Sequence, residues 1–350
     1  MLNFFFETLE IFKYPIIGLF ITFGILSFCW VRIFKFLNLK KYNNVQRVHQ
    51  NEVPRLGGFI IYIFLWCLIL FRIINEPLVF NLLIASIPFV IIGFKEDLFH
   101  NTSPKIRLIS MIFGCLIFFY INPLKFPIIE IPYIGEVIEI YPVSIIFFTF
   151  SALVVMNGMN LIDGMHGLFG LTAFFQLIAL GFIAYNLNNF QFLNIVIICL
   201  VPLLFFLFFN FPFGKIFLGD LGAYFYGFIN ALLTIYLFGN YTNLLSWLAV
   251  LILFYPCMEL LFSYFRKIKN NKSPLDADNK HLHSLLNKKF SFMLKNKSLG
   301  NSLSTISLFI FWLVPIVIAI NFEKNIYILS LSLICLSCLY IYLYNCKNKS

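Results

Sequence analysis

Charged residues and Pro/Asn/Gly clusters divide this chain into about eleven apolar segments, a pattern that fits a bilayer and little else. The segments fall near 14–37, 57–75, 78–94, 108–122, 142–157, 167–187, 192–209, 221–238, 244–265, 299–320 and 326–344. One crossing takes ~20 apolar residues. Composition agrees: of 350 residues, 61% are hydrophobic, 11% are charged and 47 are Phe. Soluble domains run near roughly 45–50% apolar and 25% charged. A soluble globular protein, a disordered chain and a secreted disulfide scaffold are therefore excluded. The expected fold is all-α, a polytopic membrane helical bundle of about eleven transmembrane helices, with ten as the other count. No internal repeat or soluble domain is visible, so residues 1–350 read as one integral membrane domain.

The net charge is +10, and its distribution tests the topology. Arg32, Lys35, Lys40, Lys41, Arg47 and Arg55 lie in 32–56, and Lys95, Lys105 and Arg107 in 95–107. Lys215 follows on the same side, then nine cations in 266–298, then Lys347 and Lys349. That side holds 21 of the 25 Lys and Arg; the other holds Lys13, Arg72, Lys125 and Lys324. The rich side is expected to be cytoplasmic and the N-terminus exterior. All five histidines (His49, His100, His166, His281, His283) fall on the cytoplasmic side.

Residues 123–141 alternate apolar and polar around Gly135 and are expected to form a small exterior β-hairpin. Residues 266–298, the longest polar stretch, read as a basic cytoplasmic loop. Cys335 and Cys338 form a C-x-x-C within an apolar run, where packing outweighs a redox or zinc role. No cleavable signal peptide is evident.

Five cytoplasmic segments carry unusual polar groups at helix ends. V-P-R-L-G-G, Val53 to Gly58, breaks helix at Pro54 and offers Gly57–Gly58 for close approach of a ligand, unless it is a plain loop-to-helix junction. G-F-K-E-D, Gly93 to Asp97, places two adjacent carboxylates at the hydrocarbon boundary. They could hold a divalent cation, accept a proton, or be solvated and paired with Lys95 or Lys105. In M-N-G-M-N-L-I-D-G-M-H-G-L, Asn157, Asn160, Asp163 and His166 recur every three residues, and packing does not explain such a stripe. In N-F-P-F-G-K-I-F-L-G-D-L-G, Asp220 opens the next apolar segment, where a carboxylate could also act as a cap. In D-A-D-N-K-H-L-H, His281 and His283 can face one way only in an irregular loop, where they could bind metal or phosphate. Glu259, inside the ninth segment, could pair with Arg266 or serve a function. Together these groups suit an anionic, Mg²⁺-bound soluble substrate meeting a lipid head group at the interface.

The order P-R-L-G-G, G-x-x-E-D, N-x-x-N-L-I-D-G-x-x-G-L, N-x-P-x-x-K-I-F-x-G-D-x-G and D-x-x-H-x-H resembles the polyprenyl-phosphate N-acetylhexosamine-1-phosphate transferases, glycosyltransferase family 4. The likeness runs from about Arg47 to His283. It implies a multi-helix enzyme of the bacterial inner membrane with a cytoplasmic active site and Mg²⁺, or Mn²⁺ in its place. Such an enzyme moves a sugar-1-phosphate from a UDP-N-acetylhexosamine to undecaprenyl phosphate and releases UMP. Membrane lipid and a homodimer are further partners in that reading, and nucleic acid is not. The resemblance makes Glu96, Asp97 and Asp163 catalytic candidates, with Asp97 a base or an orienter of the lipid phosphate. It makes Asp220 the Mg²⁺ ligand with Asn160 as a second. It places Asn210 and His166 at the nucleotide, His281 and His283 near the diphosphate, and Arg55 and Lys105 among the substrate-binding residues.

Departures stand out. Glu96 replaces the first Asp of the usual pair, as in a branch linked to surface polysaccharides. Asn279 stands where a basic residue is common, and Ser284 where a third His often follows. These count against the peptidoglycan translocase that forms lipid I. A transporter or flippase is the alternative. It should show midplane polar residues or broken helices in two related halves, and the sequence shows neither.

Overall fold

The computed structural model describes residues 14–25, 53–274 and 280–348. Arg32, Lys35, Lys40, Lys41, Arg47, His49, Asp276, Asp278, Asn279 and Lys349 lie outside the described residues. The chain is helical, with no strand among the described residues. Its helices are α1 (Tyr14–Ile25), α2 (Gly57–Leu70), α3 (Pro77–Phe99), α4 (Pro104–Ile121), α5 (Ile134–Glu139), α6 (Tyr141–Ile162), α7 (Leu168–Asn186) and α8 (Phe190–Asn210). They continue with α9 (Gly219–Asn240), α10 (Ser246–Ile252), α11 (Phe254–Lys269), α12 (Leu282–Leu294), α13 (Lys297–Ser307), α14 (Phe309–Trp312), α15 (Val314–Asn321) and α16 (Ile326–Asn348).

Local chemistry sets the helix starts. Pro77 and Pro104 occupy the first turns of α3 and α4, where a missing N–H costs nothing. Ser103 Oγ accepts from Ile106 N, and Asn189 Oδ1 from Phe192 N, each an N-cap. Seven helices (α3, α4, α6, α7, α8, α9 and α16) are long and apolar enough to cross a membrane. Two bent pairs raise the count to as many as nine among the described residues: α10 with α11 at 79°, and α13 with the helix to Asn321 at 40°. The described parts of α1 and α2 are apolar but shorter. This is a polytopic helical membrane protein. The broken pairs were not legible in the apolar pattern.

Helix α9 is the axis of the bundle, buried along nearly its whole length, with α2, α3, α6 and α7 packed around it. Small residues allow this. A Cβ on Gly58 would run into the Gly222 backbone, so α2 and α9 cross at near-backbone contact. The paired glycines of the first motif thus serve helix packing, rather than the ligand approach expected of them.

Polar groups gather at the two ends of the bundle. At one end Gly57 N donates to Phe217 O, at 3.0 Å, and Phe217 N to Pro54 O, at 2.9 Å, which stitches the first motif to the fourth. At the other, Asn194 donates to Glu76 and Asn81 to Asn122, at 2.8 and 2.9 Å, and the Lys125 carbonyl sits against Gly239. Residues 123–141 lie at this second end and form no hairpin. They run without regular structure and then turn into α5. Pro127 and Pro132 cannot donate to a ladder. Glu130 accepts from Ser246 N and Oγ, Phe126 stacks on Phe148 at 5.0 Å, and Gly135 N donates to Ile131 O to begin the helical turn. The alternation records a segment laid over the bundle end with one side down. Residues 266–298 are likewise not all loop, since they hold α12. Cys335 and Cys338 are exposed on α16, so they do not pack inside the bundle.

Candidate active site

The first four motifs converge at the end of the bundle where α9 begins. Gly219 has φ +80, and a Cβ there would meet the Arg55 carbonyl and both Asp97 carboxylate oxygens. Glycine is therefore required for the turn that delivers Asp220. Asp97 comes from the last turn of α3. Its Oδ1 accepts from Asp220 N at 2.7 Å and its Oδ2 from Leu221 N at 3.0 Å. Both oxygens thus satisfy orphan amides at the start of α9, where the helix dipole favours an anion. Asp163, just past α6, accepts from Gly219 N at 3.1 Å. Helix α9 is capped from across the site by two carboxylates, and Asp220 does not cap its own helix.

This leaves the Asp220 carboxylate for other partners. Arg55 Nη2 donates to Oδ1 at 3.0 Å and Arg107 Nη1 to Oδ2 at 2.7 Å. Tyr224 Oη donates to Oδ2 at 3.4 Å from the next turn of α9. Arg55 Nε also lies 3.9 Å from Asp97, and Arg107 Nη1 3.9 Å from Glu96. Glu96 Oε2 accepts from Thr102 N at 2.8 Å, which holds the loop before α4. Four acids thus share two guanidiniums. Burial pushes the Asp163 carboxyl up to about 8, against the pull of Arg55. Burial works against the charge of Arg55, yet Asp220, Asp97, Asp163 and Glu96 together hold its guanidinium above its ordinary value.

The third and fourth motifs are locked to each other beside this cluster. Asn210 Oδ1 accepts from Gly167 N at 2.6 Å, and its Nδ2 donates to Ile216 O at 2.7 Å. His166 Nδ1 lies 2.8 Å from the Pro212 carbonyl. A carbonyl only accepts, so Nδ1 carries the proton and Nε2 is the basic nitrogen. Burial lowers the His166 pKa, partly offset by that carbonyl, and the ring is neutral near pH 7. Helix α13 completes the support: Asn301 Oδ1 accepts from His166 N, and Thr305 Oγ1 donates to His166 O, each at 2.7 Å.

Some expected residues lie elsewhere. Lys105 is exposed, while Arg107 takes the inward place. On a helix of 3.6 residues per turn the two positions lie on opposite sides. Arg107 shares the buried stripe of Ser110, Met111 and Gly114, a signal present in the sequence. Asn301 and Thr305 were equally legible as polar residues in an apolar segment. Asn160 is half-buried near the end of α6, one turn before Asp163. His281 and His283 are buried and stacked, with ring centroids 5.3 Å apart, and turn to Glu259: His281 Nδ1 lies 3.1 Å and His283 Nδ1 3.6 Å from Oε1. Glu259 thus meets these histidines, while Arg266 donates to Ser263 and Tyr344.

Among the described residues no three His, Cys, Asp or Glu side chains form a ready metal cage. The donor set nonetheless fits a hard divalent cation. It is all oxygen, it holds two more acids than guanidiniums, and Mg²⁺ is commonly held by one or two carboxylates plus phosphates.

Comparison with known proteins agrees. Residues 79–238 match glycosyl transferase family 4. The chain is 27% identical over 248 residues to a Bacillus subtilis protein named "probable undecaprenyl-phosphate N-acetylglucosaminyl 1-phosphate transferase", covering 69% of this chain and 67% of that one. It is 26% identical over 247 residues to the undecaprenyl-phosphate alpha-N-acetylglucosaminyl 1-phosphate transferase of Thermotoga maritima, covering 70% and 71%. It is 30% identical over 239 residues to a phospho-N-acetylmuramoyl-pentapeptide-transferase of Streptococcus thermophilus, covering 64% and 70%. With the motifs assembled at one pole of the bundle and these relatives on both branches, the chain belongs to glycosyl transferase family 4, among the polyprenyl-phosphate hexosamine-1-phosphate transferases.

Proposed function

We propose that the chain transfers an N-acetylhexosamine-1-phosphate from a UDP-sugar to undecaprenyl phosphate, releasing UMP and starting a lipid-linked surface glycan. It would do so at the cytoplasmic face of a bacterial inner membrane, in an eleven-crossing fold. The observation that carries this reading is the single cluster of Arg55, Glu96, Asp97, Arg107, Asp163 and Asp220 at one end of the membrane helices. Two guanidiniums within an excess of acid suit a polyanion that arrives with a divalent cation.

Asp220 would hold Mg²⁺, or Mn²⁺ in its place, with Asn160 as a second ligand. When bound, the ion would neutralise the diphosphate and the charge that develops on the leaving UMP. Arg55 and Arg107 would grip phosphate oxygens. Asp97 and Asp163 fix the start of α9, so Asp220 stays in place as charge moves past it. A lipid-phosphate oxygen forms the new bond to the sugar-bearing phosphorus, and the bridge to UMP breaks. His166 and Asn210 would hold the loop at the nucleotide, while His281 and His283, paired with Glu259, stay a separate candidate for the diphosphate.

The test is UMP release from a panel of UDP-sugars, with undecaprenyl phosphate, in inside-out and right-side-out membrane vesicles. UMP should appear only with the lipid acceptor and only in inside-out vesicles. Uptake of a UDP-sugar without UMP release would replace the transferase by a transporter. Release confined to right-side-out vesicles would invert the topology.

A further inference from the structure

Arg55 and Arg107 occupy both oxygens of Asp220, at 3.0 and 2.7 Å. Their side chains are 41% and 22% exposed, against 8% for Asp220, so the carboxylate is more enclosed than either arginine that covers its oxygens. A cation coming from water meets two fixed positive charges and finds both oxygens engaged. A diphosphate meets the same pair and is drawn to it, because guanidinium forks match phosphate oxygens.

Each arginine also has a second acid close by. Arg107 Nη1 is 3.9 Å from Glu96 Oε1, and Arg55 Nε is 3.9 Å from Asp97 Oδ1. A guanidinium that leaves Asp220 therefore does not become an unpaired, partly buried charge, which would otherwise be costly. Asp97 does not move in exchange, because both its oxygens are held by α9 amides. The arrangement has two settings for the arginines and one for the carboxylates.

We propose that Arg55 and Arg107 are an anion-operated gate on Asp220. They close its carboxylate to divalent cations until a nucleoside diphosphate takes the guanidiniums, so that cation and anion bind as a unit. This rests on the reading of Asp220 as the metal ligand. By linkage, each of the two ligands then raises the affinity for the other by the same factor. The consequence is ordered loading: free Mg²⁺ does not compete with Arg55 and Arg107 in the empty enzyme.

The experiment is a Mn²⁺ titration followed by electron paramagnetic resonance, on the full chain purified in detergent, with and without UDP and against a protein-free Mn²⁺–UDP control. Wild type should bind Mn²⁺ alone weakly, and UDP should tighten it about 10-fold or more, within the usual range of coupling between sites. Arg107→Gln should bind Mn²⁺ alone about 10-fold tighter than wild type and lose most of the UDP-induced gain. Arg55→Gln, altered at the more exposed partner, should move the same way. Arg107→Lys keeps the charge and should stay near wild type. Glutamine variants that bind Mn²⁺ alone no tighter than wild type overturn the gate. Asp220→Asn separates the two claims. If it abolishes Mn²⁺ binding while the glutamine variants fail to tighten it, only the gate falls. If Asp220→Asn binds Mn²⁺ in the presence of UDP as tightly as wild type does, the metal assignment and the gate fall together.

Discussion

The two ends of α9 solve the same problem with different chemistry. At the Asp220 end, four carboxylates and two guanidiniums interlock around the first turn. At the Asn240 end, the links among the described residues are isolated polar contacts without a guanidinium: Asn81 to Asn122, Asn194 to Glu76 and Ser246 to Glu130. A neutral amide pair joins helices at little desolvation cost, with a net stabilisation of roughly 0.5–1.5 kcal/mol. Buried charges are far more expensive to assemble, and breaking one partner of such a set costs about 3–5 kcal/mol. At the Asn240 end the neighbouring elements are joined without a cluster of that cost. The difference marks the Asp220 end as the one shaped by a charged ligand.

The sharpest way to break this comparison is to neutralise one group at each end. Asp220→Asn should cut transfer by about 10³-fold, since losing a charge at a metal–phosphate centre costs on the order of 4 kcal/mol of transition-state stabilisation. The protein should still insert and purify. Asn81→Ala should lower thermal stability by about 1 kcal/mol and leave turnover within about twofold. Steady-state UMP release and detergent melting curves on both variants decide it. Comparable losses of turnover would mean that the two ends do not divide structure from chemistry.

Within the charged end, the adjacent acids differ in the same sense. The Asp97 side chain is 1% exposed and spends both oxygens on α9, while Glu96 is 15% exposed and bonds one loop amide. Asp97→Asn turns an amide donor toward the N–H of Asp220 or of Leu221. Hydrogen bonds to ionised acceptors contribute ~1.5–3 kcal/mol each. The variant should therefore lose about 2–4 kcal/mol of stability along with most transfer. Glu96→Gln should melt closer to wild type and keep a measurable fraction of turnover. If Glu96→Gln is the inactive one, Asp97 is a cap only and Glu96 is the acid that serves the reaction.

How much of this could be read in the sequence follows from what each residue answers to. The apolar segments announced themselves, because a bilayer imposes length and polarity on every crossing. Asp97, Asp163 and Asp220 were legible as expensive charges at helix ends. Their division of labour was not: that Asp97 caps α9 while Asp220 faces two arginines depends on contacts 123 and 165 residues apart. Helix phase puts Arg107, and not Lys105, beside Asp220, which the buried stripe of α4 predicts. The hairpin expected in 123–141 does not form because period-two alternation also arises from packing over the bundle end without strand pairing. The α10–α11 break falls just before Pro256, which lacks an N–H for the preceding turn and marks the break in the sequence, whereas the bend after α13 has no such mark.

The last effect concerns Asp163, and it has a definite sign. Its carboxyl is ordinary in the unfolded chain, near 3.8, and pushed up to about 8 in the fold, chiefly by burial. Between those values the folded protein binds a proton that the unfolded chain has released. Stability from this group is fully present below about pH 4 and falls as pH rises toward 8. Asp163 shares its cluster with Asp97, Asp220 and Glu96, so its own share of the slope is the part that its substitution removes. Melting temperatures of the purified protein without divalent cation, taken from pH 5 to pH 8 in matched ionic strength, should show a downward component that Asp163→Asn removes. Asparagine keeps an oxygen for Gly219 N. Adding Mg²⁺ with UDP should also flatten the slope, because a cation among the acids favours the ionised form. An unchanged slope in Asp163→Asn would assign the titration to another acid of the cluster. A slope of the opposite sign would mean that Arg55 outweighs burial and that Asp163 is ionised throughout.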